Sequence, residues 1–115
     1  MKITVQSIRF NADKKLLDFI QKKADKLDTF YDRIISGEVY LKLENVEDEA
    51  NKITEIKLML PGSQMFAKEQ CKTFEEATDL AVEGLRKQIE KYKQKKTIAA
   101  EAAKKTALLI ATDGL

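Results

Sequence analysis

Lys2-Ile3-Thr4-Val5-Gln6-Ser7-Ile8 partly alternates β-favouring and polar residues, which predicts a first strand over 2–8. Asn11-Ala12-Asp13 follows, and the side chain of Asp13 or Asn11 can accept from the free N–H groups of a helix start. Leu16, Leu17, Ile20, Ala24 and Leu27 then recur three and four residues apart, the stripe of an amphipathic helix over about 14–30. Lys15, Asp18, Lys22, Asp25 and Lys26 fall on its polar side. Gly37 is expected to mark a turn. Beyond it Val39, Leu41 and Leu43 alternate with polar or amphipathic residues, predicting a strand over 38–44 with one face on a core. Residues 45–51 read as an acidic turn, and 55–60 alternate again until Pro61-Gly62, a strong turn pair. A fourth strand over 64–71 puts Met65, Ala67 and Cys71 on one face. Short turns between these last three strands predict an antiparallel meander over 38–71.

Thr73-Phe74-Glu75-Glu76 is a capping box, in which the Thr73 hydroxyl accepts from the third helical N–H and Glu76 can reach back. The helix after it places Phe74, Ala77, Ala81, Leu85, Gln88 and Tyr92 on one side, flanked by Thr78, Val82 and Ile89. The order β-α-β-β-β-α predicts an α+β fold, a four-stranded sheet with two helices packed on one face. The other face, with Tyr40, Lys42, Glu44, Lys57 and Met59, can be left to solvent. From Thr97 the chain turns Ala-rich, with Lys104-Lys105 and Leu108-Leu109-Ile110. Alanine favours helix, but this stretch has no full core stripe of its own. The expected organisation is a domain over 1–96 and a tail or helix extension over 97–115.

The length of 115 residues fits one domain. Its 21 basic and 19 acidic residues leave a net charge of only +2, so the distribution of charge carries more than the total. The chain has no histidine, which removes Ser-His and Cys-His nucleophile pairs and any histidine-containing metal site. Cys71 is the single cysteine and cannot form an intramolecular disulfide; a structural thiol is expected. Glu47-Asp48-Glu49 lacks the ligand spacing of a calcium loop and reads as a solvated turn. With no Gly-rich phosphate loop and no catalytic constellation, no enzymatic activity, cofactor, metal or small-molecule substrate is expected. The N-terminal residues lack the apolar stretch of a signal peptide. The run 107–111 is far short of the roughly 20 residues that span a bilayer, so the expectation is a cytoplasmic protein with no membrane partner.

The last helix is charge-segregated. Glu75, Glu76, Asp79 and Glu83 crowd its first half, whereas Arg86, Lys87, Lys91, Lys93, Lys95 and Lys96 face Glu90 alone in the second. Complementing the helix dipole accounts for about one turn of charge at either end. A basic stretch spread over three turns is either a solvated face or a footprint for phosphates. Tyr40 and Tyr92 are candidate stacking rings, with a core role for Tyr92 equally open. Leu108-Leu109-Ile110 is a candidate self-association patch.

The element order, the Pro61-Gly62 turn and the run from Ala77 to Lys93 resemble the ribosome hibernation-promoting factor family. It is also called the ribosome-associated inhibitor or sigma-54 modulation protein family. Ala77, Asp79, Leu85, Gln88, Ile89 and Lys91 occupy places of its last-helix pattern, and the first helix from Leu16 to Leu27 is similar to the family's Leu…Lys-Leu pattern. Thr73-Phe74-Glu75 departs from the Asp-Met/Leu-Tyr opening common there, although threonine caps as well as aspartate. The resemblance covers about residues 1–96 and suits a short-form member. It implies a fold akin to double-stranded RNA-binding domains, and docking in the small-subunit channel of messenger and transfer RNA that silences idle ribosomes. It implies rRNA phosphate contacts at Arg86, Lys87, Lys91 and Lys93, extended by Lys95 in the same basic end, and looser matches at Lys22, Lys23 and Lys26. The alternative is a protein-interaction or homodimerisation module using the exposed sheet face or the tail.

Overall fold

The computed structural model describes residues 1–8, 10–44 and 50–113, with side chains described through residue 94. The elements are β1 (Lys2–Ile8), α1 (Lys14–Asp25), a 3-10 turn (Lys26–Thr29), β2 (Ser36–Leu43), β3 (Lys52–Leu60), β4 (Ser63–Cys71) and α2 (Phe74–Asp113). They follow the expected β-α-β-β-β-α order. The strands lie side by side as β1-β2-β3-β4. β1 runs parallel to β2, while β2, β3 and β4 form the antiparallel meander. A parallel pair needs a long crossover, and α1 with its 3-10 turn supplies it.

Local chemistry starts each helix. The Asp13 carboxylate accepts from Leu16 N at 2.8 Å, and the Thr73 hydroxyl accepts from Glu76 N at 3.1 Å. The first helix ends earlier than its stripe suggests: after Asp25 it tightens into the 3-10 turn, where Phe30 N donates to Leu27 O at 3.1 Å. Leu27 remains in the core through this change, but Leu17 does not. At about 100° per residue Leu17 sits beside the Leu16–Ile20–Ala24 line rather than on it, and it is exposed.

Gly37 is also placed differently from its expected turn. It lies inside β2 opposite Ile3 of β1, on the face towards the helices. The turn that does form is Pro61-Gly62, where Gly62 takes a positive φ of 72° between the paired residues Leu60 and Ser63. Proline at the second turn position and glycine with positive φ at the third suit a type II turn.

The core fills the space between the two helices and one sheet face. Leu16, Ile20 and Leu27 meet Val39, Leu41, Ile56 and Leu58 from the sheet and Ala81, Leu85 and Ile89 from α2. Each fully buried Leu or Ile side chain stabilises the fold by roughly 1.5–3 kcal/mol. Two buried hydroxyls, Thr54 on β3 and Thr78 on α2, face each other at 3.4 Å. Ile89 takes the core place that the stripe offered to Gln88.

The helices run in the same direction. Lys23 Nζ meets Asp79 Oδ1 at 3.0 Å, Phe30 lies beneath Arg86, and Tyr31 meets Tyr92 ring edge to ring face. This parallel arrangement brings the second half of α1 beside the second and third turns of α2.

Candidate nucleic-acid interface

The candidate bases lie on the helical layer, but the structure divides them. Arg86 points towards α1 and is engaged three ways. Its Nε donates to the Glu83 carboxylate at 3.0 and 3.1 Å, its Nη1 pairs with Glu90, and its guanidinium carbon lies 5.9 Å from the Phe30 ring centre. The Arg86 hydrogen bond holds the Glu83 carboxyl below its ordinary pKa, while Glu83 raises the guanidinium's. Lys93 lies on the same side of α2 and donates to the Phe30 carbonyl at 2.9 Å. Lys23 is half-buried, paired with Asp79, with its ammonium 5.4 Å from the Phe19 ring centre. Lys23 ties α2 to α1, and Arg86 and Lys93 hold α2 to Phe30 just beyond the 3-10 turn.

Lys22, Lys26, Lys87 and Lys91 are exposed. None of their four ammonium groups holds an ion pair or hydrogen bond among the described residues. Lys22 and Lys26 share the outward side of α1 and its 3-10 turn. Lys87 and Lys91 lie roughly 100–160° around α2 from Arg86 and Lys93, so they face outward and towards β4. A cleft of about 270 Å³ lined by Ser63, Gln64, Met65, Gln88, Lys91 and Tyr92 marks that shoulder. The side chain of Lys95 lies outside the described residues.

Gln88 fastens the shoulder. Its amide Nε2 donates to the Phe66 carbonyl of β4 at 2.9 Å, so the residue that left the core stripe binds the outer strand instead. Tyr92 packs against the core, its ring centre 5.8 Å from that of Tyr31. Burial, then Tyr92, raises the pKa of the Tyr31 phenol. Tyr40 lies on the open sheet face, and its hydroxyl donates to Glu38 at 3.0 Å. Both tyrosines considered as stacking rings are therefore engaged within the protein.

Burial pushes the Cys71 thiol above its ordinary pKa, with Glu76 and Glu69 adding to the effect. It is half-buried at the end of β4, an environment that keeps a thiol protonated at neutral pH. The acidic stretch Glu47-Asp48-Glu49 lies outside the described residues. Among the described residues no helix is long and apolar enough to cross a membrane.

The same fold recurs in known proteins. Residues 3–97 match the family model described as Sigma 54 modulation protein / S30EA ribosomal protein. A ribosome hibernation promoting factor of Pseudomonas putida is 21% identical over 103 residues, 90% of this chain and 97% of that one. The crystal structure of the Thermus thermophilus Protein Y N-terminal domain is similar at a TM-score of 0.70 and 25% identity, covering 80% of this chain and 99% of that one. A ribosomal subunit interface protein from Coxiella burnetii is similar at a TM-score of 0.73 and 22% identity, covering 82% and 99%.

Proposed function

The chain belongs to the Sigma 54 modulation protein / S30EA ribosomal protein family, and we propose that it is a ribosome-binding translation inhibitor. In this reading it docks on the small subunit, occupies the channel of messenger and transfer RNA, and promotes hibernation of idle ribosomes. It acts by binding and occlusion, and the chain makes or breaks no bond. The observation that carries the reading is the family match over residues 3–97, which takes in every candidate base from Lys22 to Lys95.

The division of the bases gives them different tasks. Lys22, Lys26, Lys87 and Lys91 neutralise rRNA phosphates, because they are exposed and their ammonium groups hold no ion pair among the described residues. Lys23 holds α2 to α1, and Arg86 and Lys93 hold it to Phe30 behind α1, so the outer surface they brace stays rigid. Four phosphate contacts predict that log affinity falls against log salt with a slope of about −3 to −4.

Cosedimentation with small subunits tests the assignment. Lys87→Glu/Lys91→Glu and Lys22→Glu/Lys26→Glu are each expected to weaken binding at least about tenfold, by replacing attraction with repulsion at two phosphates. Undiminished binding by both variants overturns the assigned face.

A further inference from the structure

Four of the five phenylalanine rings are engaged within the protein. Phe10 stacks on Phe74 with ring centres 4.9 Å apart, Phe19 carries the Lys23 ammonium, and Phe30 carries the Arg86 guanidinium. Phe66 differs. It is 51% exposed on the sheet face opposite the helices, and no ring or cation covers it among the described residues. Lys57 sits directly across from it on β3, and Gln64 and Lys68 flank it on the same side of β4.

The surrounding charge favours an anionic partner. Lys2, Lys42, Lys57 and Lys68 share this face with Glu38 and Glu55, and the exposed Glu44 follows directly after β2. Glu38 and Glu55 are already occupied: Glu38 accepts from Tyr40, and Glu55 pairs with Lys42 without completing a hydrogen bond. Lys57 and Lys68 hold no ion pair among the described residues. A second copy docking face to face would set these lysines against their own counterparts. A polyanion with flat apolar rings meets both features.

We propose that Phe66 is a stacking platform for an unpaired base of single-stranded RNA, with Lys57 and Lys68 on its flanking phosphates. An exposed ring reaches only a base that is free of its stack, which selects single-stranded over duplex RNA. The Gln88–Phe66 hydrogen bond places this platform just around the β4 edge from Lys91. It thereby extends the basic surface of Lys87 and Lys91, and it rests on their assignment to rRNA.

The chain contains no tryptophan, so Phe66→Trp creates a single reporter at the platform. Titration with a single-stranded octamer of uridine is expected to quench its emission, whereas a duplex of equal length leaves it unchanged. Phe66→Ala is expected to weaken binding of the octamer between about 5-fold and 150-fold, the range for losing one stacked base, and Phe66→Trp to retain it. Circular dichroism melting serves to show that Phe66→Ala folds. Unquenched emission, or octamer affinity unchanged in Phe66→Ala, overturns the proposal. So does a loss of self-association in Phe66→Ala, by sedimentation equilibrium, with RNA affinity intact. The proposed function is read separately: failure of the platform with Lys87→Glu/Lys91→Glu still impaired on ribosomes leaves it standing.

Discussion

A methyl group added at Gly37 would lie 2.7 Å from Ile3 Cδ1 and 3.3 Å from Leu58 Cδ2, both inside ordinary contact distance. Overpacking of this kind typically costs about 1–3 kcal/mol. Gly37→Ala is therefore expected to lower the unfolding free energy, read from denaturant melts, by that amount. Ile3→Val removes the Cδ1 atom, so the double variant should recover part of the loss in the same measurement. The need for glycine here was not legible in the sequence, where Gly37 resembled a turn residue. The neighbour that demands it is 34 positions away and arrives only through the parallel pairing of β1 with β2. Asp13 and Thr73 show the opposite case. Each acts on a backbone N–H three residues ahead, so both caps could be read locally.

Within α2 the period of 3.6 residues correctly separated a core side from a charged side. It did not show which bases stay available. Glu83 and Glu90 lie one turn to either side of Arg86 and hold its guanidinium. Replacing both by glutamine should free Arg86 and remove two negative charges from the outer surface. The Glu83→Gln/Glu90→Gln variant is expected to bind small subunits up to about fivefold more tightly, at little cost in stability because exposed ion pairs contribute little. Weaker binding would assign Arg86's clamped position itself to the interface. The pH dependence follows from the depressed pKa of Glu83. Its ion pair contributes fully above the ordinary carboxylate pKa and is lost as the pH falls through the lower folded value.

For the molecule as a whole, the described core ends at Tyr92, while α2 continues to Asp113. At 1.5 Å per residue its 40 residues span about 60 Å, most of the 70 Å long axis. A chain ended after Lys96 is expected to unfold in one cooperative transition at the full chain's midpoint and to cosediment with small subunits equally well. Loss of either property would make the Ala-rich stretch part of the binding domain. The span that matches the family, residues 3–97, takes in every buried core residue among the described residues and every candidate base.

Hydrophobic spacing, caps and the Pro61-Gly62 turn determined the element order by themselves, because each depends on residues within a turn or two of one another. The basic end of the last helix was equally plain in the sequence. Only the tertiary structure decided that β1 pairs parallel with β2, and that Arg86, Lys93 and Lys23 are spent on holding α2 to Phe30 and α1. It also left Phe66 uncovered among the described residues while Tyr40 and Tyr92 found partners. The reason is physical: whether a charge or a ring is free depends on what lies within a few ångströms of it. Those neighbours come from strands and helices tens of residues apart, brought together by burial of a shared core.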